Sequence, residues 1–196
     1  MSAQPLLIPA SSRVILVGNG PSLMTQRLGH KIDAFDEVVR FNQFRCQEFE
    51  RHSGTKTTIY CTFGRGMLPG DLNQRPSKVI LTHEKAKCAY PAAWTYPVPA
   101  KFYNALRAEI KAASAKPNAA DLLPSSGFLV ARWLLDTGQA ECITLTGFDH
   151  FTKNNDKRHH YWIPGNFGRP KEHDGDVEAE LLTMYCQQGR IEYLTP

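Results

Sequence analysis

A short apolar segment that ends in a glycine-rich turn constrains the fold of this chain most strongly. Residues 13–17 read Arg-Val-Ile-Leu-Val, and residues 18–22 read Gly-Asn-Gly-Pro-Ser. An unbroken run of β-branched and apolar residues predicts a buried strand, and a tight turn directly after it is typical of the start of a doubly wound sheet. The turn differs from the dinucleotide-binding pattern, because Leu23 stands where that pattern needs its third glycine.

Strand patterns and helix patterns alternate along the rest of the chain. Further strands are predicted at residues 37–41, 57–62, 78–82, 142–146 and 191–194, and helices at 101–113, 127–136 and 177–188. This alternation predicts an α/β fold with a mostly parallel central sheet flanked by helices, of the Rossmann-like kind. A chain of 196 residues suits one such domain, so residues 1–196 are interpreted as a single domain.

Two segments do not fit the alternation and are predicted to be loops. They are residues 63–77, which contain Pro and Gly, and residues 150–172, which are polar. Long loops in a compact domain are often functional. We expect the second loop at the active site, because it carries His159 and His160 and ends beside His173.

The composition argues against several classes of protein. The net charge of +4 comes from scattered Lys and Arg, whereas a dedicated nucleic-acid binder concentrates its basic residues. The apolar patch at residues 5–9 is far shorter than the roughly 20 residues of a membrane span. The five cysteines are widely spaced with no Cys-X-X-Cys pair, which favours a reduced, cytoplasmic protein.

Polar residues follow the ends of two predicted strands. Asn19 lies between the glycines of the first turn, where Gly18 and Gly20 allow backbone N–H groups to approach a phosphate or a ribose. Asn42 ends the strand at 37–41 and is expected at the same carboxyl edge of the sheet. Arg40 is interpreted as one half of a structural ion pair inside the sheet rather than as a ligand contact.

Two hydroxyl groups and a glycine precede the predicted helix at 127–136. Ser125 and Ser126 stand directly before Gly127, so side-chain donors and the unpaired N–H groups of a helix start converge there. Such a place suits a phosphate or a carboxylate. Serine before a helix is also the usual cap, and the sequence leaves both interpretations open.

Histidines are the candidate acid and base groups of the chain. Imidazoles titrate near neutral pH, so His160 and His173 are suited to move protons between a hydroxyl and a leaving phosphate. A zinc site is not favoured, because the histidines lack metal-ligand spacing. Asp174 and Asp176 precede a helix rather than follow a strand, which favours a cap and a first-turn acid over a metal-binding Asp-X-Asp motif.

Taken together, these sequence segments resemble those of the animal-type sialyltransferases of glycosyltransferase family 29. The order of four family motifs carries the resemblance, which spans most of residues 13–182. The large motif resembles residues 14–56, the small motif 124–148, the third motif His-Tyr-Trp at 160–162, and the very small motif His173 with Glu178.

The resemblance implies an inverting transfer from a cytidine monophosphate (CMP) sugar, a sialic acid or a Kdo-like sugar acid, to a glycan acceptor, without a metal or other cofactor. It implies that His173 is the general base and that His160 binds the departing phosphate. Its implied donor-binding residues, in addition to Gly18 and Gly20 of the first turn, are Asn19, Asn42, Ser125, Ser126, Gly127, Gly147 and Tyr161. By the same resemblance, Gly147 lets the ribose approach, and Glu178 orients the active-site loop or His173.

The chain also departs from the family. We expect it to lack the membrane anchor of the family; it is short between the large and small motifs, and its cysteines do not stand where those motifs are commonly joined. We therefore expect a cytoplasmic, bacterial-type member. The shortened acceptor region leaves two alternatives open, namely hydrolysis of CMP or of a CMP-sugar, and a cytidine-nucleotide-binding module with little turnover.

Overall fold

A computed structural model of the chain describes residues 5–64, 76–88, 90–150, 160–162 and 171–196. The strands in these residues form one seven-stranded sheet in which every neighbouring pair is parallel. They are β1 (Val14–Val17), β2 (Glu37–Phe41), β3 (Ile59–Thr62), β4 (Lys78–Leu81), β5 (Trp94–Pro97), β6 (Ile143–Thr146) and β7 (Ile191–Tyr193). Their order across the sheet is β5-β4-β3-β2-β1-β6-β7, which confirms the predicted α/β fold.

Helices cover both faces of the sheet. They are α1 (Gly29–Asp33), α2 (Glu50–Ser53), α3 (Ala100–Ala113), α4 (Ser126–Asp136) and α5 (Gly175–Gln187), with short 3₁₀ helices at Pro21–Thr25 and Ala119–Asp121. Leu16 belongs to the core cluster that contains residues of α3, α4 and α5, whereas Ile15 packs with Ile32 of α1. Ile15 and Leu16 are both fully buried. Burial on both faces explains why this strand is an unbroken apolar run.

The sequence pattern missed strand β5. Proline stands at position 97 within this strand and at positions 91 and 99 beside it, and proline argues against a central strand. β5 lies at the edge of the sheet and pairs only with β4, where a missing N–H donor is tolerated. Its alternation of half-buried and exposed residues is weak, because it covers only four positions.

The apolar patch near the amino terminus packs as a terminal arm. Leu7 and Ile8 are buried in the main core cluster. Lys78 donates from Nζ to the Leu7 carbonyl at 2.8 Å and to the Glu37 carboxylate at 2.8 Å. None of the helices in the described ranges has the length and apolarity needed to cross a lipid bilayer.

Several residues that carry the large-motif resemblance have a structural role. The carboxylate of Asp33 accepts hydrogen bonds from the backbone N–H groups of Thr55 and Lys56 at 2.9 Å. This bridge holds the turn after α2 against the end of α1. The two predicted loops lie largely outside the described residues, and so does His159.

The prediction that Arg40 forms a structural ion pair is wrong. Arg40 is fully buried, and it donates to the backbone carbonyls of Ser53 at 2.7 Å and Lys56 at 2.9 Å. Within the described part of the chain, it forms no ion pair with a carboxylate. A guanidinium has several donors in a fixed fork, so it can satisfy two carbonyls of one loop at once.

Candidate active site

The carboxyl ends of β1, β2 and β6 gather the predicted site residues. β1 lies between β2 and β6, and the order of strands reverses between β1 and β6. In open α/β sheets, ligands bind in the crevice outside the carboxyl ends of the strands at such a reversal. The turns after β1, β2 and β6 and the start of α4 are all joined by hydrogen bonds at this edge, as described below.

Asn19 connects the turn after β1 to the end of β2. Its side-chain Nδ2 donates to the Phe41 carbonyl at 3.0 Å. A carbonyl can only accept, so this contact fixes the amide orientation and leaves Oδ1 as the acceptor side of the group. Asn19 can therefore accept a hydrogen bond from a hydroxyl or an amino group of a ligand.

Asn42 connects the end of β2 to the start of α4. Its backbone lies in the left-handed region with φ of +51°. Its Oδ1 accepts from the Phe63 N–H at 3.3 Å, and its Nδ2 donates to the Ser126 hydroxyl at 3.4 Å. Both distances are long for such bonds, so the amide and the hydroxyl can re-pair with a ligand at little cost.

Helix α4 begins at this same edge. Ser125 is its N-cap, and the Ser125 hydroxyl accepts from the Phe128 N–H at 3.3 Å. Helix geometry leaves the N–H groups of Ser126 and Gly127 without an intrahelical acceptor. These two donors and the positive end of the helix dipole suit a bound phosphate or carboxylate. Ser125 therefore serves as the cap, and Ser126 remains the candidate ligand contact.

The structure places the carboxylate of Glu178 against Ser125, at the residue directly before α4. Its carboxylate accepts from the Ser125 N–H at 2.7 Å and from the Ser125 hydroxyl at 2.6 Å. Glu178 is only 1% exposed. Burial raises the pKa of Glu178 to about 7, although both bonds from Ser125 oppose this rise.

His173 lies just before α5 and contacts the segment that leads into α4. Its Nδ1 is 2.9 Å from the Leu123 carbonyl, and the Leu123 N–H donates to the Glu172 carbonyl at 2.8 Å. Because a carbonyl only accepts, Nδ1 of the neutral ring must carry the proton. The basic lone pair of His173 is then on Nε2, as a general base requires.

His160 lies next to the first turn. The backbone N–H of Tyr161 donates to the Asn19 carbonyl at 3.1 Å. The imidazole of His160 stacks on the Trp162 ring at a centroid distance of 4.8 Å and an angle of 18°. The two candidate histidines therefore approach the site from different segments, one beside Asn19 and one beside Leu123.

The side chain of Tyr161 belongs to the core, which corrects its predicted donor-binding role. It is buried, packs edge-on against Phe49 at 5.1 Å, and its hydroxyl donates to the Arg45 carbonyl. Burial raises the pKa of Tyr161. Tyr161 meets the site through its backbone, so its contribution is to hold the turn at Asn19.

Gly18 and Gly20 serve the packing of two turns, and this corrects their predicted role in the approach of a phosphate. The Gly18 N–H donates to the Thr146 carbonyl at 2.8 Å, and the Gly20 N–H donates to the Gly147 carbonyl at 2.9 Å. A Cβ atom on Gly18 would lie 2.4 Å from the Gly147 carbonyl oxygen. The turns after β1 and β6 can approach this closely only without a side chain there.

Gly147 and Gly127 are also explained by neighbouring protein atoms. Gly147 has φ of +68°, and a Cβ atom there would lie 2.7 Å from the Gly18 carbonyl oxygen, so its expected role in ribose approach is not needed to explain it. A Cβ atom on Gly127 would lie 2.8 Å from the Phe148 ring. Only the Gly127 N–H remains as a candidate donor to a ligand.

Sequence reasoning gave no role to Phe148, the last residue of the small-motif segment, and it missed Asp149. The Phe148 ring contacts the turn after β1 and the start of α4, and it packs edge-on against Phe41 at 6.1 Å. The Asp149 carboxylate accepts from the Ser22 N–H at 2.9 Å. Their position directly after a buried strand, at the ligand-binding edge, is the signal that identifies them.

Asp174 is held by two polar side chains just before α5. Its carboxylate accepts from the Ser114 hydroxyl at 2.6 Å and pairs with Lys116 Nζ at 3.3 Å. It occupies the N-cap position of α5 without a side-chain cap bond, whereas Asp176 lies in the first turn as predicted. Across the residues that the structure describes, no three His, Cys, Asp or Glu side chains come together to hold a metal ion.

Comparison with known proteins finds a family model that matches part of the chain. Residues 10–87 match the family model described as glycosyltransferase family 29 (sialyltransferase). This match confirms the sialyltransferase resemblance. The chain is 41% identical over 66 residues to the CMP-N-acetylneuraminate-beta-1,4-galactoside alpha-2,3-sialyltransferase of Mus musculus, and 34% identical over 73 residues to the lactosylceramide alpha-2,3-sialyltransferase of the same species.

These sequence matches cover a limited part of each protein. They span 34% and 37% of this chain, but only 16% and 18% of the two mouse sialyltransferases. The matched region holds the first turn and Asn42, whereas Ser126, His160 and His173 lie beyond the residues that match the family model. The activity and the substrates of the whole chain are therefore proposals.

Solved sialyltransferase structures share the fold over almost the whole chain. A mammalian sialyltransferase in complex with Gal-beta-1-3GalNAc-ortho-nitrophenol superposes with a TM-score of 0.66 at 22% identity, covering 93% of this chain and 69% of that one. The monofunctional alpha-2,3-sialyltransferase Cst-I from Campylobacter jejuni superposes with a TM-score of 0.57 at 18% identity, covering 96% and 78%.

Proposed function

We propose that this protein transfers a sialic acid, or a related Kdo-like sugar acid, from a CMP donor to a hydroxyl group of a glycan. The transfer inverts the anomeric centre and needs no metal ion. The observation that carries the proposal is the contact between His173 Nδ1 and the Leu123 carbonyl at 2.9 Å, because it makes Nε2 the basic atom of a ring held against the segment that leads into α4.

Neutral polar groups and a helix terminus are proposed to bind the donor. Asn19 supplies an acceptor, while Asn42 and Ser126 supply an amide and a hydroxyl that are weakly bonded to each other. The phosphate would bind at the N–H groups of Ser126 and Gly127, where the helix dipole favours an anion. This arrangement needs no dedicated metal to balance the phosphate charge.

The reaction is proposed to proceed in one displacement. His173 Nε2 removes the proton from the acceptor hydroxyl as its oxygen attacks the anomeric carbon. The bond between this carbon and the phosphate oxygen breaks, and its electron pair leaves with CMP. His160 donates to the departing phosphate oxygen and so stabilises the developing charge. Attack opposite the leaving group inverts the anomeric centre.

The relatives support a sialic acid donor and a galactose-containing acceptor. The names of the two mouse relatives specify CMP-N-acetylneuraminate, a beta-1,4-galactoside and lactosylceramide. Because the relatives reported above are named as transferases, no observation favours hydrolysis or simple nucleotide binding as the function. We also propose a cytoplasmic setting, which the widely spaced cysteines favour; all five are free thiols in the structure.

Acceptor dependence tests this proposal. Purified protein is incubated with CMP-sialic acid, with and without lactose, and with a chelator in a parallel sample; CMP, free sialic acid and sialyl-lactose are separated by chromatography. We expect CMP and sialyl-lactose in equal amounts only when lactose is present, with no effect of the chelator. Equal release of CMP and free sialic acid without lactose would identify a hydrolase, and loss of activity with the chelator would contradict the metal-free reaction.

A further inference from the structure

A buried carboxylate contacts the residue directly before the end of α4 that is proposed to bind phosphate. Glu178 accepts from both the N–H and the hydroxyl of Ser125, at 2.7 and 2.6 Å. Ser125 is the N-cap, and the next two N–H groups along the chain are those of Ser126 and Gly127. Glu178, from the first turn of α5, therefore fixes the cap of α4.

We propose that Glu178 is a positioning residue that holds the N–H groups of Ser126 and Gly127 toward the nucleotide phosphate, and that phosphate binding adds a proton from solution to Glu178. This inference rests on the proposed function, because it needs an anion at the start of α4. Glu178 would then do more than cap α4, because its protonation would be coupled to binding of the donor phosphate.

The electrostatics of this helix end explain the proton uptake. A phosphate at the N–H groups of Ser126 and a carboxylate behind Ser125 are like charges with little water between them. Two nearby anions in such a place disfavour ionisation of one another. Because the Glu178 carboxyl is 1% exposed, water screens this repulsion poorly, and a proton on Glu178 relieves it.

The contact with Ser125 can survive protonation. One oxygen of a neutral carboxyl group still accepts from the Ser125 N–H, while its O–H group donates to the Ser125 hydroxyl oxygen. That oxygen also accepts from the Phe128 N–H, and a hydroxyl oxygen has two lone pairs for the two donors. The cap of α4 is therefore kept, and the reversed hydrogen bond removes the negative charge.

The surroundings place this proton exchange near neutral pH. Burial raises the pKa of Glu178 to about 7, with the Ser125 bonds opposing it. Two further charges act on Glu178: Asp174 favours the proton and Lys116 disfavours it, and these two groups pair with each other at 3.3 Å. A group that is half ionised at pH 7 responds strongly to a nearby phosphate.

Calorimetry in two phosphate-free buffers of different ionisation enthalpy measures the protons taken up when CMP binds. For the wild type at pH 7, we expect Glu178 to contribute up to about half a proton, the share that is ionised when pH and pKa coincide. Glu178→Gln should lose this contribution, while Glu180→Gln, an exposed change on the same helix, should keep it. Cytidine, which lacks the phosphate, should give no difference between the variants.

The comparison of variants separates the possible outcomes. The variants differ from the wild type only at one carboxyl group, so the difference in proton uptake between wild type and Glu178→Gln reports Glu178 and its interaction with the phosphate. Equal proton uptake by wild type and Glu178→Gln overturns the linkage and leaves the proposed function intact. Absence of CMP binding to the wild type contradicts the proposed function and the linkage with it.

If Glu178→Gln does not fold, a carbon-13 NMR titration of the Glu178 carboxyl group in the wild type tests the linkage. CMP should raise the midpoint of this titration, and an unchanged midpoint overturns the linkage.

Discussion

The Asp149 carboxylate accepts a hydrogen bond from the Ser22 backbone N–H at 2.9 Å, across 127 positions of sequence. This contact joins the turn after β6 to the 3₁₀ helix that follows the first turn. The Gly20 N–H reinforces it by donating to the Gly147 carbonyl at 2.9 Å. Asn19 is thereby held between two strand ends, so its amide is positioned before a ligand binds.

Removal of this carboxylate should weaken both stability and donor binding. Asp149→Ala leaves the Ser22 N–H without its protein acceptor, and we expect a loss of about 1 kcal/mol in the free energy of unfolding. Asp149→Asn keeps one acceptor oxygen and should lose less. Urea unfolding and CMP calorimetry measure the two effects, with the exposed Asp121→Ala as control. Unchanged CMP affinity in Asp149→Ala would show that the contact does not position Asn19.

Gly127→Ala should destabilise the protein although alanine favours a helix. Its Cβ atom would lie 2.8 Å from the Phe148 ring, which is closer than packed atoms tolerate. Overpacking of this kind costs about 1–3 kcal/mol. In a Phe148→Leu background, the smaller side chain should reduce the cost of Gly127→Ala. Urea unfolding of the four proteins in this cycle checks the coupling, and additive losses would contradict the proposed contact.

Glu178 should make the stability of the wild type depend on pH. Its folded pKa, about 7, lies above the ordinary value of 4.5, so its contribution to stability is fully present at acid pH and is lost as the pH rises through 7. Relative to Glu178→Gln, the wild type should lose on the order of 2–3 kcal/mol between pH 4 and pH 9. Urea unfolding across this range measures the difference. Parallel pH profiles for the two proteins would show that Glu178 titrates as an exposed acid does.

The sheet and most of its helices follow from local patterns in the sequence. Apolar runs such as β1 identify buried parallel strands, and strand ends identify the ligand-binding edge that carries Asn19 and Asn42. The sequence pattern failed where the position of a residue in the folded protein decided its structure or its partner. β5 is an edge strand that tolerates proline, and Arg40 satisfies loop carbonyls that are distant in sequence.

The sequence predicted the members of the site more accurately than their roles. Sequence spacing could not show that the Tyr161 side chain enters the core while its backbone meets Asn19. Nor could it show that Phe148 fills the space that Gly127 leaves open. Glycine permits close approach, but only the three-dimensional structure reveals whether the approaching atoms belong to a ligand or to the protein.

The most direct test of the account compares wild type with His173→Ala in transfer of sialic acid from CMP-sialic acid to lactose, with CMP affinity measured on the same samples. We expect His173→Ala to reduce kcat by at least about 100-fold, the lower range for loss of a general base, while the CMP dissociation constant stays within about twofold. His30→Ala, an exposed histidine on α1, serves as the control and should retain full activity. Unchanged kcat in His173→Ala would contradict the assignment of His173 as the base.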